Sequence, residues 1–159
     1  MKKGIIAAVM GLALGGVAGA VVIGKKMSDK VKAENTLSVK HFRLMMVLNQ
    51  WLAAKQEGKS LASFFEKNGY KKIAIYGMSH LGKRLVEELK GTDIEILYGI
   101  DKNADNIYSE FEMKTLEDDL PPVDVIVVTA VTYFDEIEAA LEEKVDYSII
   151  SLEDILYEV

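Results

Sequence analysis

The chain of 159 residues contains no cysteine and only two histidines, His41 and His80. Without cysteine it can form neither disulfides nor cysteine-zinc sites, and it offers no thiolate nucleophile. Two histidines are too few for a histidine-rich metal site. Basic residues are scarce toward the C-terminus, where residues 103–159 hold 16 acidic residues against two lysines. Because such an acidic surface repels phosphate backbones, we expect no nucleic-acid partner.

Charge is absent from residues 4–24, a run of 21 residues rich in glycine, alanine and valine. At about 1.5 Å per residue, a helix of that length spans roughly 30 Å, the hydrocarbon thickness of a bilayer. Lysine pairs bracket the run on both sides. We therefore predict a transmembrane anchor over residues 1–26. A cleaved signal peptide is the alternative, because Ala18-Gly19-Ala20 resembles a cleavage site, but the apolar run continues to Ile23 and then stops at lysines.

The flanks of this run predict its orientation in the membrane. Four lysines lie within ten residues of its C-terminal end, against two on its N-terminal side. The positive-inside rule then makes the chain a single-pass membrane protein with its C-terminal domain in the cytoplasm.

Within the run, small residues recur every four positions and form one stripe on a helix, through which homo-oligomers could assemble: Ala7, Gly11, Gly15 and Gly19.

Residues 27–69 are predicted to form a helical connector. Apolar side chains recur at the 3-4 spacing of an amphipathic helix that ends at Gly58: Leu37, Leu44, Met45, Leu48, Trp51 and Leu52. A second, short helix is predicted over residues 60–67, with Asn68-Gly69 as its C-cap signal. The apolar stripe either packs on the following domain or forms a surface for a partner or for self-association.

From residue 70 to residue 159, apolar runs alternate with amphipathic helical stretches. Strands are predicted in KKIAIYG, IEILYGID, DVIVVTA and YSIISL, with a short extra strand at residues 111–113. Helices are predicted in HLGKRLVEELKG, FDEIEAALEEKV and EDILYEV. This alternation is typical of an α/β fold with a doubly wound parallel sheet of about five strands. Right-handed crossovers favour the strand order 3-2-1-4-5.

Ligands of such sheets bind at the carboxyl ends of the strands, near the switch point. The loop after the first strand, GMSHLG, carries the first and third glycines of G-x-G-x-x-G, Gly77 and Gly82, with Ser79 at the middle position. The outer glycines permit the tight turn and close helix packing, whereas the middle one lets the backbone approach a pyrophosphate. A serine hydroxyl could itself donate to phosphate, and His80 beside it could contact phosphate.

Asp101 ends the second strand, 24 residues after Gly77, where an acid accepts hydrogen bonds from ribose hydroxyls. Thr129 follows the fourth strand and could also contact a ligand. We therefore predict a nucleotide-type site, with NAD or a nucleotide-sugar as candidate ligands, formed by Gly77, Ser79, His80, Gly82, Asp101 and Thr129.

The segments IAIYGMSHLGKRLVEEL, ILYGIDKNAD, DVIVVTAVTYFDEI and IISLEDIL together resemble the small Rossmann-type domains of bacterial polysaccharide-biosynthesis proteins. Such domains form the N-terminal part of sugar acyltransferases or are attached to glycosyltransferases. The resemblance covers residues 70–157. Gly77, Gly82 and Asp101 match the loop and the strand-ending aspartate of those domains, and Ser79 departs from the pattern. The resemblance implies a role near glycan precursors.

No set of nucleophile, base and orienting group emerges from the sequence. Tyr98 and Lys102 have the spacing of a Tyr-x-x-x-Lys pair, but on a strand and its turn residues four apart do not stack. We therefore favour a membrane-anchored Rossmann-like module that binds a nucleotide or nucleotide-sugar, or that scaffolds glycan-biosynthesis enzymes. An NAD-dependent or nucleotide-sugar-modifying enzyme is the alternative, and a purely structural membrane oligomer is the third interpretation.

Overall fold

The structure, a computed structural model, describes residue 34 and residues 36–159. The predicted anchor and its stripe of small residues lie outside this part of the chain. Among the described residues, none of the helices has the length and apolar character needed to cross a bilayer. The chain divides into two compact units, residues 1–42 and residues 43–159. Of the first unit, only residues 34 and 36–42 are described, and these are helical.

Helices and strands alternate along the described chain. Residues 36–56 form helix α1. The elements that follow are α2 (Ala62–Asn68), β1 (Lys72–Tyr76), α3 (His80–Leu89), β2 (Glu95–Ile100), β3 (Glu112–Lys114), β4 (Val125–Val128), α4 (Phe134–Glu142), β5 (Ser148–Ser151) and α5 (Leu152–Glu158). Two single turns of 3₁₀ helix, Ala104–Asn106 and Val131–Tyr133, follow β2 and β4.

The five strands form one sheet in which all pairs are parallel, in the order β3-β2-β1-β4-β5. This confirms the predicted α/β fold and its strand order. β1 lies at the centre, with Ile75 opposite Gly99 of β2 on one side and Val127 of β4 on the other. The chain reverses its winding direction between β1 and β4, so the carboxyl ends of these two strands frame the switch point.

Both faces of the sheet are covered, which is why its strands read as continuous apolar runs. Ile73 and Ile75 of β1 are fully buried in one core layer, together with residues of α1, α2, α3 and α5. Ala74 and Tyr76 alternate with them and lie in the second layer, against Leu141 of α4. The period-2 alternation of a strand therefore divides the core into two layers.

The predicted apolar stripe of the connector is only partly right. Trp51 is 7% exposed and packs in the core, which is the first of the two alternatives for the stripe, but Met45, Leu48 and Leu52 are 54%, 43% and 57% exposed. The buried face instead includes Val47, at 1% exposure. Contacts with the C-terminal helix α5 determine which side of α1 is buried. Leu37, in the other unit, is 54% exposed.

Two polar contacts tie α1 to α5. The Arg43 guanidinium donates to Glu153 Oε2 through Nε at 2.9 Å and through Nη2 at 2.6 Å. Gln50 Nε2 donates to the Leu156 carbonyl at 3.2 Å. Arg43, Val47 and Gln50 lie about one helical turn apart, so these contacts turn the Val47 side of α1 inward.

Glycine ends α2 at the predicted place. Gly69 takes a left-handed conformation, with φ of 73°, and its N–H donates to the Glu66 carbonyl at 3.1 Å. This confirms the predicted C-cap of α2. The helix begins at Ala62, two residues later than predicted, because Ser60 lies before it and its hydroxyl accepts from the Ala62 N–H.

Candidate functional site

The loop after β1 is a tight turn held by its two glycines. Gly77 has φ of 93°, in the region that favours glycine, and its N–H donates to the Ile100 carbonyl of β2 at 2.8 Å. Gly82 lies in the first turns of α3, where a Cβ would stand 2.1 Å from the Gly77 carbonyl oxygen. Only glycine permits this approach, so Gly77 and Gly82 form the strand-turn-helix connection as the sequence predicted.

The Asp101 carboxylate connects this loop to the end of β2. Its Oδ2 accepts from the Met78 N–H at 2.9 Å, and its Oδ1 accepts from the Asn103 N–H at 3.0 Å. Each carboxylate oxygen has two acceptor positions, so both oxygens keep capacity for a further donor. Asp101 therefore shapes the loop and keeps acceptor capacity on the wall of the cleft described below.

Thr129 supports the loop from the β4 side. It is 2% exposed, and its hydroxyl lies 2.5 Å from the Gly77 carbonyl and 3.1 Å from the Tyr76 carbonyl. Its N–H also donates to the Tyr76 carbonyl, at 2.9 Å. The loop is thus held by hydrogen bonds to β2 on one side and to β4 on the other.

A cleft of 630 Å³ opens at the carboxyl edge of the sheet, at the switch point. The ends of β1 and β2 form one wall, and the turn after β4 and the inner face of α4 form the other. Leu116, which follows β3, contributes an apolar side chain. The lining residues are Tyr76, Gly77, Ser79, Asp101, Lys102, Asn103, Leu116, Ala130, Tyr133, Glu136, Ile137 and Ala140.

Charge and polarity are unevenly distributed in this cleft. Asp101, Lys102 and Glu136 are its ionisable lining residues besides two tyrosines. The phenol of Tyr76 has a raised pKa, first because it is buried and second because the negative charge of Asp101 disfavours a phenolate. Tyr76 therefore stays protonated, with a hydroxyl that can donate as well as accept.

The N-terminus of α3 supplies the donors at one end of the cleft. Ser79 is the N-cap residue, and its side chain makes no capping hydrogen bond. The first N–H groups of a helix have no partner within the helix, and the positive end of the helix dipole lies there. Ser79 and His80 are both exposed at this position.

The structure brings three of the six predicted site residues, Gly77, Ser79 and Asp101, to the cleft. His80 follows Ser79 on the exposed side of the loop. Gly82 and Thr129 are buried behind the loop, where they hold its backbone. Direct contact of any of the six residues with a ligand stays a prediction.

Several residues that line the cleft were not predicted from the sequence. Tyr76, Leu116 and Glu136 line it without any motif to mark them. Ile137 and Ala140 lie on the face of α4 that packs toward the sheet, and this face also reaches the carboxyl edge of the sheet. A helical face that follows a strand at the switch point is the signal that could have found them. Within residues 34 and 36–159, no group of three acidic or histidine side chains could hold a metal ion.

Comparison of the chain with known proteins returned no match among family models, curated proteins or solved structures. The interpretation of the site therefore rests on its residues and their geometry.

Proposed function

We propose that this chain is a membrane-anchored Rossmann-like module that binds a nucleotide or a nucleotide-sugar on the cytoplasmic side of the membrane. The observation that carries the proposal is the cleft of 630 Å³ at the switch point, with Gly77, Ser79 and Asp101 on its wall. This volume lies within the range of about 300–1,000 Å³ that is usual for small-molecule sites.

The two ends of the cleft suit the two ends of a nucleotide. Leu116, Ile137 and Ala140 offer apolar surface for a planar base. Asp101 offers acceptors for ribose hydroxyls, since each of its oxygens has capacity beyond its backbone hydrogen bond. The uncapped N-terminus of α3 offers N–H donors and a positive dipole end for a phosphate.

Ser79 limits how a diphosphate would lie on the loop. A middle glycine would let the phosphate touch the backbone, whereas Ser79 places an exposed hydroxyl there. The Met78 N–H donates to Asp101, so it is engaged inside the protein. The phosphate is therefore expected to bind farther along, at the Ser79 hydroxyl and the first turn of α3.

A binding panel with a matched pair of variants tests this proposal. Isothermal titration calorimetry of the full chain in detergent would compare NAD(H), NADP(H), UDP and UDP-sugars. Ala140→Phe fills the cleft, whereas Ala139→Phe places the same side chain one residue earlier on α4, at an exposed position outside it. We expect saturable binding of at least one ligand, lost in Ala140→Phe and kept in Ala139→Phe.

Two results would count against this role. Heats of dilution alone across the panel, at up to millimolar ligand, would remove nucleotide binding. Equal binding by both alanine variants would place the ligand elsewhere on the chain.

The membrane anchor and the cytoplasmic position of the domain are supported by the sequence of residues 1–43. A role beside glycan-biosynthesis enzymes is supported only by the resemblance to domains of polysaccharide-biosynthesis proteins. Because the chain has no cysteine, Glu142→Cys introduces a single exposed thiol on α4. In intact cells a membrane-impermeant maleimide should leave this thiol unlabelled until the membrane is permeabilised. Labelling of intact cells would reverse the proposed orientation.

A further inference from the structure

A shallow groove of 350 Å³ lies between α1 and α3, on the opposite face of the sheet from α4. All of its lining residues belong to the unit of residues 43–159. They are Leu48, Trp51, Leu52 and Lys55 of α1, and Arg84, Glu87 and Glu88 of α3. The groove is separate from the switch-point cleft and shares no lining residue with it.

An exposed apolar ridge runs along this groove. Met45, Leu48 and Leu52 follow one another at spacings of three and four residues, which is the a/d pattern of a seam between two helices. Their side chains are 54%, 43% and 57% exposed. Large apolar side chains exposed in one contiguous stripe mark an interaction surface. The Met45-Leu48-Leu52 ridge is therefore a surface that lacks a partner among residues 34 and 36–159.

The charges beside the ridge indicate the kind of partner. Two cations, Lys55 and Arg84, and two anions, Glu87 and Glu88, line the groove in equal number. A membrane rich in anionic lipids, or a strongly charged protein, would leave one sign of this set unmatched. A second copy of the same surface, related by a two-fold axis, presents both signs, so a cation that has no partner within one groove can face the carboxylates of the other.

Arg84 is the cation of the groove that has no ion-pair partner among the described residues. Lys55 Nζ is already 2.9 Å from Glu88 Oε1, and Glu87 Oε1 is 2.8 Å from Lys90 Nζ. Arg84 makes no hydrogen bond or ion pair with the residues that the structure describes, although its charge lowers the pKa of Glu87 after the larger effect of Lys90. Its guanidinium is therefore free to bind a carboxylate of another molecule bidentately.

We propose that a second copy of this chain docks on the ridge and the groove and forms a two-fold symmetric dimer. The two ridges pack side by side, with Leu48 near Leu48 and Leu52 near Leu52 of the other copy. Arg84 of each copy then lies beside the acidic residues of the other groove. This contact is independent of the nucleotide cleft, which stays open on the other face.

The lack of native cysteine allows a direct test. Leu48→Cys and Glu142→Cys each give the full chain one thiol, on the ridge and on α4 respectively. Both proteins would be oxidised with copper phenanthroline in detergent and in reconstituted vesicles. We expect a disulfide-linked dimer from Leu48→Cys at several times the yield of Glu142→Cys. Equal yields would overturn the proposal, because the ridge would then face the bilayer, another segment of its own chain or solvent.

The mass of the assembly gives a second, independent measurement. Analytical ultracentrifugation in density-matched detergent should find a dimer, and Leu52→Glu should weaken its dissociation constant at least tenfold. Arg84→Glu should also weaken the dimer, and the double variant Arg84→Glu/Glu87→Arg should restore it, since the complementary pair is then reversed. Far-UV circular dichroism and the urea midpoint would verify that each variant folds. A folded Leu52→Glu variant that stays dimeric would overturn the proposal, because association would then not depend on the ridge.

Discussion

Replacing Gly82 with alanine sets two effects of opposite sign against each other. Gly82 lies inside α3, and a helix interior gains about 1 kcal/mol when alanine replaces glycine. The new Cβ, however, would stand 2.1 Å from the Gly77 carbonyl oxygen and 3.1 Å from its carbon. Real Cβ contacts do not fall below 3.0 Å, so the two backbones would have to separate by about 0.9 Å.

This separation is costly because the Gly77 backbone is held from two sides. Its N–H donates to the Ile100 carbonyl, and its carbonyl accepts from the buried Thr129 hydroxyl. Overpacking of this kind costs about 1–3 kcal/mol, and more where backbone must move. Here the obstruction is backbone, so we take the upper part of that range. After the helix-propensity gain is subtracted, we expect Gly82→Ala to lower the free energy of unfolding by about 2 kcal/mol.

Urea unfolding of the fragment 43–159, followed by far-UV circular dichroism, measures this change. At an m value of about 1–2 kcal/mol per molar, the midpoint should fall by roughly 1–2 M. Lys83→Ala is the matched control, because Lys83 is the next residue of α3 and is exposed. The control should stay within about 0.5 kcal/mol of the native chain. A Gly82→Ala variant as stable as the control would refute the steric reasoning and show that α3 can move away from the loop.

Three further predictions use the same unfolding measurement. Thr129→Val removes the hydroxyl bonded to the Gly77 carbonyl and should cost about 1–2 kcal/mol, whereas Thr129→Ser should recover most of it; equal losses would mean that the hydroxyl does not hold the loop. Asp124 has a pKa below its ordinary 3.8, chiefly because backbone N–H groups at the start of β1 bind it. The Asp124 carboxylate therefore stabilises the fold above about pH 4, and this stabilisation is lost as the pH falls further. Asp124→Asn should be less stable than the native chain at pH 7, by a difference that shrinks toward pH 2. A stability difference that does not change with pH would contradict this role of the carboxylate. Trp51→Ala should cost about 3–5 kcal/mol because Trp51 is buried against the sheet, while Met46→Ala on the exposed side of α1 should cost less than about 1 kcal/mol; similar losses would show that α1 is not docked through Trp51.

The fold could be predicted because its signals are local and redundant. The strands β1, β2 and β4 are buried on both faces, and so they appear in the sequence as continuous apolar runs. Gly77 and Gly82 mark the turn between β1 and α3, because a side chain at either position meets backbone or Thr129. Once alternation of strands and helices is recognised, the handedness of crossovers leaves few strand orders.

The face of α1 could not be predicted in the same way. Residues 44–48 are Leu, Met, Met, Val and Leu, so apolar side chains point in nearly every direction around the helix. Periodicity does not distinguish the buried side from the exposed one under these conditions. The choice is made by Arg43 and Gln50, whose partners lie 110 and 106 residues away in α5.

The partner of Asp101 was also beyond sequence reasoning. An acid at the end of β2 signals a ribose acceptor, but its observed partners are the backbone N–H groups of Met78 and Asn103. Every residue except proline carries such a group, so no side chain identifies the contact in advance. The far wall of the cleft, formed by α4, was missed because the same residues also satisfy the pattern of a core-facing helix.

The distance in sequence between α1 and α5 has a consequence for the newly made chain. Gln50 meets Leu156 only after 106 further residues have been added. At translation rates of about 5–20 residues per second, this delay is roughly 5–20 s. During that time Val47 and Trp51 lack the C-terminal helix that completes their core layer. The buried side of α1 is thus exposed to solvent during this interval of synthesis, and truncation of α5 would make that exposure permanent.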